Sequence, residues 1–259
     1  MLIQKEFWWQ YGGIFMAIQG ILSTTLAGLF TFLGGVLGVM RPPSRRTMAA
    51  VLGFAAGVML TISLADLLPH CTGMYAQWMG LPMAAAATAS LLLLGMVAAA
   101  LLEQGVEKPD DPAAISWFLM LAILLHNLPE GVLTLFASVQ EPTLGWHTTL
   151  AIGMHNIPEG ISVAMPLYYA TRKRTKALGA ALITGLAEPA AALLAYGVLH
   201  FWMNPAMVAG LLAWSAGVMC WVSVAELIPA GLALGYPRRV GVGACLGMAA
   251  MLLGMGLLS

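Results

Sequence analysis

Long apolar stretches separated by short polar turns run through most of the sequence. We predict eight of them as helices, each long enough to cross the hydrocarbon core of a bilayer, which takes about 20 residues. The pattern therefore predicts an all-α membrane protein with eight transmembrane helices in one domain over residues 1–259. The predicted spans are 14–40, 48–68, 81–102, 114–139, 144–170, 178–201, 205–230 and 240–258.

The basic residues fall on one side of these predicted spans. Ten of the eleven Lys and Arg residues lie in the turns after the first, third, fifth and seventh spans, whereas Lys5 lies opposite. Because cytoplasmic loops carry an excess of Lys and Arg, we expect these turns in the cytoplasm and both termini outside. The ten residues are Arg41, Arg45, Arg46, Lys108, Arg172, Lys173, Arg174, Lys176, Arg238 and Arg239.

A second pattern is an internal repeat with an offset of 160 residues. Asp66-Leu-Leu-Pro69 in the second span matches Glu226-Leu-Ile-Pro229 in the seventh. The two copies are five spans apart, so they cross the membrane in opposite directions. We therefore predict an inverted repeat, with spans 1–3 related to spans 6–8 around central spans 4 and 5.

The polar residues of the two central spans form a duplicated hexapeptide, His-Asn-(Leu or Ile)-Pro-Glu-Gly. In a helix, residues four apart share a face, so each His lies beside the Glu of its own copy. Ionisable groups at membrane depth are costly and usually functional, and imidazole with carboxylate suits divalent metals of intermediate softness. We also expect the last glycine of each copy, Gly131 and Gly160, to let these two spans approach closely. The predicted metal site contains His126, Asn127, Glu130, His155, Asn156 and Glu159.

Other polar residues in the apolar stretches carry less specific signals. Glu188, alone in the middle of the sixth span, is a metal ligand or a proton relay, and the sequence leaves both readings open. Asp66 and Glu226 lie near span ends, where we expect a solvated mouth. Three further histidines near span ends are predicted to lie at the membrane interface, namely His70, His147 and His200.

The composition agrees with a polytopic membrane protein and excludes several other classes. Hydrophobic residues make up 60% of the chain and charged residues 8%, with a mean hydropathy of +0.87. Such values lie far from those of soluble domains. The net charge of zero indicates no nucleic-acid partner, and the three scattered cysteines indicate neither a disulfide framework nor a zinc knuckle.

With these motifs in place, the sequence resembles the ZIP (ZRT/IRT-like) family of metal transporters, in particular its bacterial ZupT-type branch. The resemblance is carried by the two hexapeptides, by Gly185-Leu-Ala-Glu188 and by the segment from Gly53 to Met59. It implies uptake of zinc and related divalent cations (Fe, Mn, Co or Cd) across a bacterial inner membrane, with both termini periplasmic. It implies no cofactor, because the metal is cargo. It also implies a homodimer whose spans 1, 4, 5 and 6 move against spans 2, 3, 7 and 8.

The resemblance further implies a two-metal site between spans 4, 5 and 6. His126, Glu130, His155 and Glu159 would form the principal position. Asn127 and Glu188, with Glu130 and Glu159 shared, would form the second, and Asn156 matches a position that is an acid in some members.

Two alternatives remain from the residues alone. One is a proton-coupled carrier of another solute, which the same architecture allows. The other is an intramembrane metalloprotease, which needs a Glu directly after its first His so that the carboxylate can activate water. Asn follows each His here, so the sequence disfavours the enzyme. The physiological metal stays open, because the donor set also suits cations other than zinc.

Overall fold

The computed structural model describes residues 13–42, 44–105, 112–140, 142–199 and 204–258, and all regular structure in these ranges is helical. Eight long helices follow one another within these ranges. The part of the sixth predicted span beyond residue 199, with His200, lies outside the described residues. The helices are α1 Gly13–Val39, α2 Arg45–Met79, α3 Leu81–Gly105, α4 Pro112–Gln140, α5 Pro142–Thr171, α6 Arg174–Leu194, α7 Pro205–Ala233 and α8 Pro237–Leu258.

Seven of these described helices are long and apolar enough to cross a membrane. The exception is α5, although its 30 residues make it about 45 Å long at 1.5 Å per residue. Its mean hydropathy is lowered by polar residues, among them the second hexapeptide. The apolar helices identify a multi-pass membrane protein.

The helix α2 is longer than the predicted second span. The turn expected after residue 68 is instead helical as far as Met79, so that prediction is wrong. A π-helical stretch, Ile62–Leu67, precedes Pro69. Proline lacks an N–H and crowds the preceding helical turn, and the wider π-helical turn lets the helix continue past it. The same sequence of π-helix and proline recurs in α7 at Val222–Leu227 and Pro229, at the 160-residue offset of the sequence repeat.

The helices pack as two groups. The site bundle contains α1, α4, α5 and α6, and the flanking bundle contains α2, α3, α7 and α8; each helix makes its most extensive contacts inside its own bundle. Glycines let backbones touch within each bundle, because a Cβ added there would overlap a neighbouring main chain. Examples are Gly28 against Gly185 in the site bundle and Gly57 against Ala244 in the flanking bundle.

The two hexapeptide glycines serve contacts other than the one expected from the sequence. Gly131 of α4 abuts the backbone of Glu188 in α6, and Gly160 of α5 abuts the backbone of Thr31 in α1. Both glycines allow a close approach of helices, but the prediction that they bring α4 and α5 together is wrong. They instead bind each central helix to an outer helix of the site bundle, and so fix α6 and α1 beside the hexapeptides.

Candidate metal site

Every predicted site residue is buried inside the site bundle. The exposed fraction is 0% for His126, Asn127, Asn156, Glu159 and Glu188, 1% for His155 and 2% for Glu130. Buried polar groups are costly unless they are paired, so their contacts indicate what the site can do. These contacts divide the seven residues into two clusters.

The first cluster consists of two His–Glu pairs that cross between α4 and α5. Nε2 of His126 lies 3.0 Å from Oε1 of Glu159, and Nε2 of His155 lies 3.1 Å from Oε1 of Glu130. Each imidazole thus contacts the carboxylate of the other hexapeptide rather than its own. Four side chains of the types that bind divalent metals therefore lie in two buried pairs between α4 and α5.

A hydrogen bond on the side of the ring away from Glu130 fixes the orientation of His155. Its Nδ1 lies 3.1 Å from the carbonyl oxygen of Ala151 in the preceding turn. A carbonyl oxygen only accepts, so Nδ1 carries a proton and donates to it, and Nε2 is the nitrogen left to bind a metal. In α4, the carbonyl oxygen of His126 accepts a hydrogen bond from the Ser215 hydroxyl of α7 at 3.2 Å. Ser215 belongs to the flanking bundle, and the sequence pattern did not single it out.

The second cluster links α5 and α6 through an asparagine. Nδ2 of Asn156 donates to Oε1 of Glu188 at 2.5 Å and to the carbonyl oxygen of Ala27 at 2.9 Å. Nδ2 of Asn127 donates to the carbonyl oxygen of Thr184 in α6 at 3.3 Å. Because both amide nitrogens are held by neighbouring acceptors, the amide oxygens remain available to a cation.

Several buried oxygens around the two clusters have no hydrogen-bond partner. All are acceptors, and buried acceptors are normally satisfied, so such a set suits a divalent cation as the missing partner. The oxygens are Oδ1 of Asn127 and Asn156 and Oε2 of Glu130, Glu159 and Glu188.

The donors do not yet converge as a ligand shell. Among the described residues, no three His, Cys, Asp or Glu side chains are arranged to hold a metal ion. The four donors of the first cluster contact one another instead. A cation that binds there must take the place of the partner in each pair.

A cavity of about 350 Å³ leads to the first cluster. Glu130 and His155 line it, and it extends to Asp66 and His70 in the second half of α2 and to Thr148 in α5. His70 is exposed, Asp66 is half-buried and lies on the cavity, and His147 is exposed. Asp66 and His70 are four residues apart in α2, a spacing that was not predicted because the second span was expected to end at residue 68.

Glu226 corrects another expectation. It is only 8% exposed, so the prediction of a solvated mouth is wrong for this residue. Its π-helical stretch lies inside α7, which continues to Ala233, so Glu226 is not at the end of the helix.

Comparison with known proteins gives one consistent result. A family model described as "ZIP Zinc transporter" matches residues 102–259. The chain is 38% identical over 243 residues to a "Zinc transporter ZupT" of Neisseria meningitidis serogroup C, covering 87% of this chain and 90% of that protein. It is 36% identical over 261 residues to the protein of that name from Chlorobium phaeovibrioides, covering 92% and 97%. It is 36% identical over 253 residues to the protein of the same name from Akkermansia muciniphila, and the match covers 89% of this chain and 94% of that protein.

Proposed function

We propose, since the chain belongs to the ZIP family of zinc transporters, that it takes up zinc and related divalent cations through two adjacent metal positions between α4, α5 and α6. The protein is a transporter and not an enzyme, and zinc is its substrate rather than a cofactor. The observation that carries the proposal is the crossed pairing of the two hexapeptides at the inner end of a cavity.

The two proposed positions differ in their chemistry. The first uses His126, Glu130, His155 and Glu159, a mixed nitrogen and oxygen set that suits zinc. The second uses oxygen donors, from the amides of Asn127 and Asn156 and from Glu188, with Glu130 and Glu159 shared between the two ions. The unpartnered second oxygen of each shared carboxylate supports this sharing.

The proposed topology has eight crossings of a bacterial inner membrane and two periplasmic termini. We count α5 as a span, because it is long enough and lies among the apolar helices of the site bundle. The repeated π-helix and proline of α2 and α7 support an inverted repeat of α1–α3 and α6–α8 around α4 and α5. In this topology, the cavity that leads to Glu130 opens toward the periplasm.

We further propose that the site bundle moves against the flanking bundle during transport and that the protein works as a homodimer. Backbone contacts through glycine occur within each bundle, which favours each bundle moving as a unit. Across the boundary, Gly254 of α8 instead faces the flexible end of Met154 in α5. Side-chain ends can slide and repack, whereas touching backbones hold their register.

Zinc uptake into proteoliposomes that contain an internal zinc-sensitive dye tests the proposed function. The double variant His126→Ala, Glu130→Ala should insert into the membrane yet lose most zinc flux, because it removes one member of each crossed pair. A Thr88→Val variant is the matched control, since Thr88 is buried in α3 and bonds only to its own helix at Ala84.

Wild-type zinc flux in the double variant would contradict the proposed site. A carrier of another solute would give no zinc-dependent dye signal in the unmodified protein. Competition by Fe²⁺, Mn²⁺, Co²⁺ and Cd²⁺ in the same assay would rank the related cations.

A further inference from the structure

The helix α1 contributes no residue to the predicted site, yet it carries a buried polar group that has no partner. Thr31 is 0% exposed, and its Oγ1 has no hydrogen-bond partner. In the described part of the chain, it is the one buried Ser or Thr hydroxyl in this condition. A buried hydroxyl left unpaired costs stability, so it calls for an explanation.

The other buried threonine hydroxyls in the described helices bond back to the backbone of their own helix. Thr134 donates to Glu130 at 3.0 Å, Thr184 to Ala180 at 2.9 Å and Thr88 to Ala84 at 2.8 Å, each at the carbonyl four residues earlier. This local bond is the usual way in which a helical Thr satisfies its hydroxyl. Thr31 departs from the pattern although its position in a helix is the same.

The reason is that the local acceptor of Thr31 is already taken by a residue of the site. The carbonyl four residues before Thr31 is that of Ala27, and it accepts Nδ2 of Asn156 at 2.9 Å. In an α-helix the same carbonyl also accepts the backbone N–H of residue 31, so the Thr31 hydroxyl would be its third donor. The contact that positions Asn156 therefore leaves the Thr31 hydroxyl free for another partner.

Thr31 lies where α1 meets α5 and α6, the two helices that the contact between Asn156 and Glu188 joins. A Cβ added to Gly160 would overlap the carbonyl oxygen of Thr31, and one added to Gly185 would come within 3.2 Å of the Thr31 Cβ. Gly160 directly follows Glu159. Gly185 follows Thr184, whose carbonyl holds Asn127. Thr31 thus packs against α5 through its backbone and against α6 through its side chain, next to residues that adjoin or hold the proposed ligands.

We propose that Thr31 is a further ligand of the transported cation, which it binds through Oγ1 at the oxygen-rich second position. This inference rests on the proposed function and adds α1 as the fourth wall of the site. A hydroxyl is a neutral, hard oxygen donor, so it favours Zn²⁺ and Mn²⁺ over the softer Cd²⁺. Thr31 therefore contributes to the choice of metal as well as to affinity.

The test compares Thr31→Val, which keeps the shape and removes the hydroxyl, with Thr31→Ser, which keeps the hydroxyl. Zinc affinity of the purified full chain is measured by competition with a chelating dye, and Tm is measured with and without zinc. Thr31→Val should weaken zinc binding about ten-fold, the effect of losing one bond to a charged partner. Thr31→Ser should bind close to wild type.

The change in Tm also distinguishes a metal ligand from a threonine that stabilises the fold, because replacing a stabilising threonine would lower the Tm. Without added zinc, Thr31→Val should melt at a higher temperature than wild type, because an unpaired buried hydroxyl has been removed. The rise in Tm on adding zinc should shrink. Thr88→Val serves as the control and should change neither the zinc affinity nor the zinc-induced rise.

A softer replacement tests the choice of metal. Thr31→Cys should raise the ratio of Cd²⁺ to Zn²⁺ affinity, because a thiolate is a softer ligand than a hydroxyl. Wild-type zinc affinity in Thr31→Val, or equal losses in the Val and Ser variants, would overturn the proposal. If His126→Ala also binds zinc like wild type, the proposed metal site fails as a whole; if only the Thr31 variants do, the role of α1 alone fails.

Discussion

Asn156 holds Glu188 in place through its neutral amide. This contact bears on whether Glu188 is a metal ligand or a proton relay. Oε1 of Glu188 accepts from Asn156 at 2.5 Å, whereas Oε2 is buried without a partner. An anchored carboxylate with one free oxygen fits a metal ligand better than a proton relay, which needs a partner to pass the proton on.

For individual residues, the sequence predicted which side chains are buried together, because their spacing places them on one face of a helix. It could not predict the crossed pairing, since spacing does not say which neighbour a face meets.

Glu188→Gln should reduce the stoichiometry of bound zinc from two ions to one per protomer, while transport is altered rather than abolished. The change keeps the shape of the side chain and removes the charge that the second ion needs. Equilibrium dialysis followed by metal analysis measures the stoichiometry. Glu103→Gln is the matched control, because Glu103 accepts a hydrogen bond from Trp221 at 3.0 Å, away from the site. Two ions bound to Glu188→Gln with unchanged affinity would return Glu188 to the proton-relay reading.

Among the helices, glycines decide which neighbours come together. The apolar pattern predicted the helices well, although α2 runs to Met79 because a π-helical turn accommodates Pro69. Glycine in an apolar stretch also signals close approach, but it does not identify the partner helix. Gly160 turned out to face Thr31 of α1, and Gly131 to face Glu188 of α6. Partner choice follows from the packing of all four helices in the site bundle and is not encoded in any one of them.

Gly160→Ala should destabilise the protein by about 1–3 kcal/mol, the usual effect of forcing an extra methyl into a packed interface. The added Cβ would overlap the backbone of Thr31, so α1 and α5 must move apart. Thermal unfolding in detergent measures the effect. Gly179→Ala is the matched control, because a Cβ at Gly179 of α6 meets nothing within 4 Å, and it should leave Tm unchanged or slightly raised. Equal losses in the two variants would show that packing against α1 is not the cause.

At the scale of the whole molecule, the described chain is two four-helix bundles with the candidate site inside one of them. The repeat predicted that α2 and α7 resemble each other, and both contain a π-helical stretch next to a proline. The orientation in the membrane, inferred from the distribution of charge, stays a prediction. The division into two bundles was expected only from the resemblance to the ZIP family. It could not be read from residue patterns, because each bundle is assembled from helices that are distant along the chain.

Single cysteines at Ser44 and Thr175 should react with a membrane-impermeant thiol reagent only from the cytoplasmic side. Both positions are exposed and lie beside the basic turns. The labelling is done in intact cells and in inverted vesicles, after Cys71, Cys220 and Cys245 have been replaced. Gln77→Cys, exposed near the end of α2, should show the opposite pattern. Labelling of Ser44 or Thr175 from outside would rule out the eight-span topology.

The crossed His–Glu pairs also bear on which ions the site is expected not to bind. Each imidazole already has a carboxylate neighbour, at 3.0 Å for His126 and 3.1 Å for His155, so an arriving ion must offer more than those neighbours do. Sodium and potassium carry one charge and have little affinity for imidazole nitrogen, so they gain nothing from half of the donors. A doubly charged cation of intermediate softness would use all four of the proposed ligands. We therefore expect the pairing to favour such a cation over the abundant monovalent ions.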